Sequence, residues 1–157
     1  LEGVRPILVE VQSLVVSTAF GMPRRTAIGY DLNKLILLLA VLEKRCGFTL
    51  GNKDVYVTII GGLKVNEPAC DLAMAVAIIS NLKNKPVPPD MVILGEVGLT
   101  GNIRSIPRIE QRIGEAKKLG FKQFIIPAGN VKQLKGMHDG ISIQGVTSIQ
   151  EVMKSIF

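Results

Sequence analysis

Two kinds of hydrophobic spacing alternate along this chain, one typical of β-strands and the other of helices. The clearest strand is Val55–Ile60, a β-branched and aromatic run bounded by glycines. A glycine-rich stretch follows, and then Pro68, which suits a first helical turn because its missing N–H costs nothing there. The apolar residues from Ala69 to Leu82 recur at helical spacing. The pattern therefore predicts a strand, a glycine-rich loop and a helix in the middle of the chain.

The segment before this unit predicts two further strands. Arg5–Val16 alternates apolar and polar residues in part, which indicates a long strand, and Phe20–Arg25 is typical of a turn. Thr26–Tyr30 would return as the second strand. We therefore expect an N-terminal β-hairpin, in which these two strands pair directly with each other.

The other segments predict helices and strands in alternation, so the fold class is α/β. In chain order they are a helix capped by Asp31 or Asn33 and ended by Gly47, a strand Met91–Leu94, a glycine-rich hairpin Gly95–Arg104, a helix Ile106–Leu119, a strand Gln123–Ile126, a short helix capped by Asn130, a strand Ile141–Gln144 and a final helix opened by Thr147. The chain shows no internal repeat and no low-complexity linker.

The junction between the central strand and helix is where chemistry is expected first. Free N–H groups and a positive dipole point out of a helix start, so such junctions often hold a nucleophile or a phosphate. Gly61 and Gly62 could cradle a phosphate, but no Lys-Ser or Lys-Thr pair follows them, and Glu67 and Asp71 would repel an anion. Phosphate binding at this loop is therefore disfavoured.

Six segments of the chain match a known family. They are Glu2–Gln12, Phe20–Arg25, Leu38–Arg45, Asp54–Val57, Glu67–Ala73 and Gly95–Gly101. On these segments the chain resembles the Lon-protease-like C-terminal domains of the RadA (Sms) family of bacterial DNA repair and recombination ATPases. The resemblance covers nearly the whole chain, and it implies the ribosomal-protein-S5-domain-2-like fold that Lon peptidase domains share.

The more distant resemblance to the Lon peptidase itself allows a comparison of catalytic positions. Lon presents a nucleophilic serine in a Gly-Pro-Ser-Ala-Gly motif and activates it with a lysine from a later helix. Pro68 matches the proline, Ala69 falls on the serine, and Glu67 and Asp71 replace the glycines. The lysine position falls on Glu110. The resemblance therefore implies that both members of the catalytic dyad are lost, because neither a methyl group nor a carboxylate can replace them.

A residual peptidase is the alternative function, with Cys70 or a serine elsewhere in the chain as its nucleophile. Cys70 is the nearest candidate, but a helix turns about 100° per residue, so its thiol should point away from the serine position. A packed helix cysteine is the favoured interpretation. His138 is the only histidine, and a metal site needs more ligands than it can recruit, so we expect an ordinary loop residue and no metal site.

Composition indicates one domain, spanning residues 1–157. The 157 residues are 47% hydrophobic and 20% charged, as in globular proteins with their own core. Two cysteines without metal-ligand spacing, and no signal-peptide pattern, favour the cytoplasm. No apolar run reaches the ~18 residues that span a membrane.

Because the chain begins at Leu1 rather than Met, we expect a fragment. The resemblance places the ATP, Mg and Zn sites before it and implies none in this domain.

The net charge of +6 favours anionic partners, and DNA is the partner that the resemblance implies. Only 4% of the residues are aromatic, so backbone contact is favoured over base stacking. Arg24 and Arg25 are the first candidates, because Pro23 limits the backbone of their loop and guanidinium groups bind phosphate bidentately. The secondary candidates are Lys34, Lys44, Arg45, Arg104, Arg108 and Arg112. Solvated charges or salt bridges are the alternative for each.

The resemblance also implies how the domain would act. Lon-like domains assemble as rings, most often of six, so we expect a homohexamer. The predicted function is a non-proteolytic ring scaffold with a DNA-binding surface, in homologous recombination and branch migration. An attached ATPase would drive that work, with a recombinase as the further partner of the whole protein.

Overall fold

The structure is a computed structural model that describes residues 8–19, 21–60, 67–134, 136 and 139–157. The described elements alternate between strands and helices along the chain. They are β1 (Glu10–Ser17), β2 (Arg25–Ile28), α1 (Leu32–Cys46), β3 (Lys53–Ile60), a 3-10 turn (Pro68–Cys70), α2 (Asp71–Lys83), β4 (Met91–Ile93), β5 (Glu96–Val97), β6 (Ile103–Arg104), α3 (Ile109–Lys118), β7 (Gln123–Pro127), α4 (Ala128–Val131), β8 (Ser142–Val146) and α5 (Ile149–Ile156).

The first sheet has the strand order β1-β3-β2. β1 runs antiparallel to β3 and β2 runs parallel to it, so the predicted N-terminal hairpin is wrong. The physical reason is the composition of β3, in which Val55, Val57 and Ile59 are all buried. The most apolar strand takes the centre of the sheet, and the half-polar strands β1 and β2 take its edges.

The second sheet contains β4, β7 and β8 in that order, all parallel. A short antiparallel hairpin, β5–β6, lies between the two halves of the chain, as predicted. One apolar core joins the first sheet to α1, α2 and α5, and a second joins α3 to β7. The α/β class is therefore confirmed, and the two cores meet near the start of α2.

The ends of α1 follow the prediction at one end only. Gly47 adopts the left-handed conformation, with φ 76°, and its N–H donates to the carbonyls of Leu42 and Glu43. Glycine tolerates that conformation without steric cost, so it ends the helix as predicted. Asp31 stands at the N-cap position, but its side chain makes no capping hydrogen bond.

Two predictions are wrong: Asn130 as a helix cap, and a helix start at Ile106. The contact between these two residues accounts for both. Asn130 lies inside α4 and is fully buried, whereas the sequence predicted it as a helix cap. Its side-chain amide accepts from the Ile106 N–H and donates to the Ile106 carbonyl, each at 2.9 Å. Ile106 also precedes Pro107, which disfavours helical backbone. The helix predicted from Ile106 therefore begins only at Ile109.

Other boundaries shift by a few residues. The last helix begins at Ile149, with Ser148 as its N-cap, rather than at Thr147. The part of the predicted first strand before Leu8 lies outside the described residues, as do Gly61, Gly62 and His138. Within the described ranges, no helix combines the length and the apolar character that crossing a bilayer requires.

Candidate functional site

The junction before α2 is built around a short 3-10 turn. Glu67 precedes it in extended conformation, and its carboxylate accepts from the Ala69 N–H at 3.4 Å. Ala69 is 1% exposed and packs into the second core. Its carbonyl accepts from the Gly95 N–H, while the Leu72 N–H donates to the Gly95 carbonyl, both at 3.0 Å. The position that the resemblance assigns to the nucleophile therefore holds a buried methyl group, clamped by backbone hydrogen bonds.

Asp71 joins several elements at this junction. Its carboxylate, with the side chain only 6% exposed, accepts from the Tyr30 hydroxyl and from Lys34 Nζ, each at 3.0 Å. It also accepts from the Val97 N–H at 3.3 Å. Burial and the neighbouring Asp71 charge raise the pKa of Tyr30. The phenol therefore stays protonated and remains a donor, so the buried carboxylate has three partners.

Glu67 pairs with a residue from α3. Arg112 Nη2 lies 3.3 Å from Glu67 Oε1, with only 9% of the arginine side chain exposed, and Arg112 Nε donates to the Pro107 carbonyl at 2.9 Å. The pKa of Glu67 is lowered: partial burial acts to raise it, while the Arg112 charge and the hydrogen bond from the Ala69 N–H are among the effects that lower it. Arg112, a predicted DNA contact, forms an ion pair that joins α3 to the junction.

Cys70 has the surroundings of an unreactive thiol. Burial, followed by the charges of Glu67 and Asp71, raises its pKa to about 11. A reactive cysteine needs the opposite environment, one that stabilises the thiolate. Cys70 is therefore mostly protonated at neutral pH.

Glu110 occupies the lysine position of the resemblance and lies in the first turn of α3. It is exposed, whereas Ala69 is buried. The ion pair that ties α3 to the junction is made by Arg112, two residues further on. Among the described residues, no group of three or more His, Cys, Asp and Glu side chains could hold a metal ion.

The two arginines predicted as the main DNA contacts differ in their environment. The Arg25 guanidinium donates to the carbonyls of Lys53 and Leu50, the latter at 3.0 Å. Arg24 is exposed, and its backbone N–H donates to Asp54 Oδ1 at 2.7 Å. Arg25 therefore supports the loop before β3, and Arg24 leaves its guanidinium toward solvent.

Further basic side chains lie at the same end of the first sheet. α1 ends at Cys46 close to the start of β3, because the Glu43 carboxylate accepts from the Leu50 N–H at 3.2 Å. Lys44 and Arg45, in the last turn of α1, are exposed. We call this surface the basic end, and define it as Arg24, Arg25, Lys44, Arg45 and Lys53. Lys53 was not predicted as a DNA contact, because in the sequence it resembles an ordinary strand residue.

The other predicted DNA contacts are Lys34, Arg104, Arg108 and Arg112, which are not part of the basic end. Lys34 is paired with Asp71, and Arg104 lies 3.7 Å from Glu96. Arg108 is exposed, in the left-handed conformation that precedes α3. Of the eight predicted residues, four belong to the basic end, and Arg112 is largely buried in its ion pair. Sequence reasoning also missed the Asp71 and Asn130 hydrogen bonds, and the only signal for Asp71 was a charge opening an apolar helix.

Comparisons with known proteins find one matching family model and several similar DNA repair proteins. Residues 21–130 match the family model described as subunit ChlI of Mg-chelatase. The whole chain aligns with 34% of the length of the DNA repair protein RadA of Streptococcus pyogenes serotype M3, at 54% identity. It aligns with 37% of the length of the RadA of Streptococcus pneumoniae, at 51% identity. An alignment that covers 99% of the chain and 34% of the length of the RadA of Bacillus subtilis shows 49% identity. The chain thus spans about a third of the length of these relatives.

Proposed function

The chain belongs to the family described as subunit ChlI of Mg-chelatase, as a counterpart of the C-terminal part of the DNA repair protein RadA, and from that premise we propose a non-catalytic, DNA-binding role for it. It would serve as a ring-forming scaffold that presents a basic surface to DNA in repair by homologous recombination, including branch migration. The rest of the longer protein would supply the ATPase, with its ATP, Mg and Zn sites. A recombinase would be a further partner, and the cytoplasm the site of action.

One observation carries the non-catalytic part of this proposal. The position of the nucleophile at the start of α2 holds Ala69, a buried methyl group, and both flanking acids are engaged with cations. A peptidase of this type needs a nucleophile with an amine beside it and room for the substrate backbone. The Glu67–Arg112 and Lys34–Asp71 pairs act as structural ties where the resemblance places glycines.

The basic end supports the DNA-binding part. Arg24, Lys44 and Arg45 are exposed and belong to one end of the first sheet. Asp54, an acid near the start of β3, is engaged by the Arg24 N–H and the Thr18 hydroxyl. Exposed guanidinium and ammonium groups bind the phosphate backbone whatever the base sequence. One copy offers few contacts, and several copies on a ring would add by avidity.

Two separate apolar surfaces support self-association. The outer face of α1 exposes Leu32, Ile36 and Leu37, at 43%, 47% and 51%. The outer face of the first sheet exposes Leu14 and Ile28, at 52% and 65%. A head-to-tail contact joins two different surfaces of the same chain, and repetition of such a contact closes a ring when the rotation allows it. We propose a ring on this basis, and the resemblance to Lon-like domains implies a homohexamer.

The DNA-binding role is tested by equilibrium titration of short fluorescent duplexes of unrelated base sequence. The basic-end variant carries Arg24→Ala, Lys44→Ala and Arg45→Ala, and spares Arg25 because its guanidinium holds the loop before β3. The matched control removes the same charge with Lys117→Ala, Lys118→Ala and Lys122→Ala, all exposed at the other half of the fold. We expect only the basic-end variant to lose affinity, about equally for every duplex. Equal losses in the two variants would refute a specific role for the basic end.

The residual peptidase remains testable beside it. We expect no cleavage of unfolded protein by the chain, and none after Ala69→Ser with Glu110→Lys, because Glu67 and Asp71 still fill the substrate side of the junction. Cleavage that Cys70→Ala abolishes would establish the peptidase and overturn the non-catalytic role.

A further inference from the structure

A groove runs along the outer edge of β1, on the side away from β3. It encloses about 530 Å³ between β1, the second half of α2 and the turn after α2. Its ten lining residues are Val11, Gln12, Ser13, Ala77, Ser80, Asn81, Asn84, Lys85, Pro86 and Val87. β1 is an edge strand in the described sheet, so the groove lies beside backbone groups that face no further described strand.

Two hydrogen bonds establish which residues of β1 turn their backbone groups toward the groove. Val15 and Val55 are directly opposite in the antiparallel ladder. The Val55 N–H donates to the Arg24 carbonyl on the β2 side, and the Val15 N–H donates to Asn81 Oδ1 at 2.6 Å, so both point away from the β1–β3 seam. Because orientation alternates along a strand, Val11 and Ser13 point the same way as Val15. Their N–H and C=O groups therefore face the groove.

The Ser13 side chain lies in the wall of the groove. Its Oγ is shielded from solvent and has no hydrogen-bond partner in the described part of the chain. A shielded hydroxyl without a partner is costly, and native structures rarely contain one. A segment bound beside β1 could reach this hydroxyl only if the Ser13 side chain turned toward the groove.

Charge distinguishes between possible occupants of the groove. Lys85 is the one charged residue among the ten that line it. An acidic segment would meet Lys85 with opposite charge. Asn81 already caps the Val15 N–H, so the open edge accommodates only a short segment.

We propose that the groove beside β1 binds an extended acidic segment of a partner protein, which adds to the first sheet as a strand next to β1. Main-chain hydrogen bonds to Val11 and Ser13 supply affinity in this mode, and the side-chain contacts supply selectivity. This binding mode goes beyond the DNA-binding role and uses none of the residues of the basic end. Ser13→Pro should therefore leave DNA binding unchanged, which separates the failure of one proposal from the failure of the other.

The test is a fluorescence-anisotropy titration of the whole 157-residue chain with a capped peptide of alternating valine and threonine that carries glutamates at one end. Ser13→Pro removes an N–H that points into the groove without removing a β1–β3 hydrogen bond, a substitution that edge strands tolerate. We expect it to weaken binding about tenfold or more, since a backbone donor is lost. Ser17→Pro is the matched control, because it makes the same change on the same edge outside the groove, and it should bind like the parent.

Lys85→Glu should reverse the preference, so that a lysine-bearing version of the peptide binds better than the glutamate one. If Ser13→Pro does not fold by circular dichroism, amide exchange of the parent decides, since the peptide should slow exchange at Val11 and Ser13. Absence of peptide binding, equal binding by Ser13→Pro, or unchanged amide exchange overturns the proposal. Concentration-dependent dimerisation that Ser13→Pro abolishes and Ser17→Pro keeps would assign the groove to a second copy and overturn it as well.

Discussion

At the scale of single residues, the acids on either side of Ala69 hold this junction together. Glu67 accepts from the Ala69 N–H and pairs with Arg112, while Asp71 pairs with Lys34. Carboxylates that cap and tie a helix start stabilise it through the helix dipole as well as through their partners. The two acids, at the positions where the resemblance places glycines, therefore fix the structure of the junction.

Cys70 provides a test of that fixed environment. With a pKa of about 11, its thiol should react with iodoacetamide slowly at pH 8, and the rate should rise about tenfold per pH unit until near that pKa. The measurement is alkylation of the Cys46→Ser variant, in which Cys70 is the remaining thiol. A rate that levels off below pH 9 would contradict the raised pKa of Cys70.

The raised pKa of Cys70 should also make the stability of the protein depend on pH. The folded state holds the Cys70 proton to about pH 11, whereas the unfolded thiol releases it at a lower pH. Because the folded state then binds more protons, the free energy of unfolding falls as pH rises through this window. Cys70→Ala should reduce that fall, as measured by urea denaturation at several alkaline pH values, and an unchanged pH dependence would contradict the burial of the thiol.

Residue identities could be read from the sequence, but residue partners could not. Ala69 and Glu110 are visible in the sequence as an alanine and a glutamate, and the resemblance to the Lon peptidase implies from them that the dyad is lost. Arg112 is 45 residues from Glu67 along the chain, and no pattern in either segment predicts their ion pair. The charge of Arg112 therefore suggested phosphate binding, although its side chain is largely buried.

At the scale of elements, Asp71 fixes how α2 starts relative to its neighbours. Its carboxylate receives hydrogen bonds from Tyr30 after β2, from Lys34 in α1 and from Val97 in β5. Removing this carboxylate leaves the buried Tyr30 hydroxyl and the Val97 N–H without their acceptor, so Asp71→Ala should lower the free energy of unfolding by about 3 kcal/mol.

Urea denaturation measures this loss, and Asp31→Ala is the matched control. Asp31 is exposed, and its side chain makes no capping bond, so the control should change stability by less than about 0.5 kcal/mol. Equal effects of the two substitutions would show that Asp71 does not join these elements.

Periodicity predicted the existence of the elements better than their pairing. The run Val55–Ile60 identifies a buried strand, yet it does not reveal that both neighbours of β3 come from earlier in the chain. Strand order depends on competition for the central place in the sheet, which no local pattern records. Asn130 was missed for a similar reason, because its hydrogen-bond partner Ile106 is 24 residues away.

At the scale of the whole molecule, self-association should depend on the outer face of α1. Ile36→Glu places a charge within that apolar face and should shift sedimentation toward the monomer. Leu119→Glu is the matched control, since Leu119 is also exposed, at 58%, but lies at the end of α3. A parent chain that stays monomeric at high protein concentration would contradict the ring, and equal effects of both variants would contradict the role of α1.

The most direct test of the central claim, that the basic end binds the DNA backbone, is the salt dependence of duplex affinity. The logarithm of affinity should fall linearly with the logarithm of salt concentration, with a slope of about −0.9 for each phosphate neutralised. The basic-end variant, Arg24→Ala with Lys44→Ala and Arg45→Ala, should flatten that slope, while the variant at Lys117, Lys118 and Lys122 should keep the parent's slope. An unchanged slope in the basic-end variant would contradict binding of the DNA backbone at this surface.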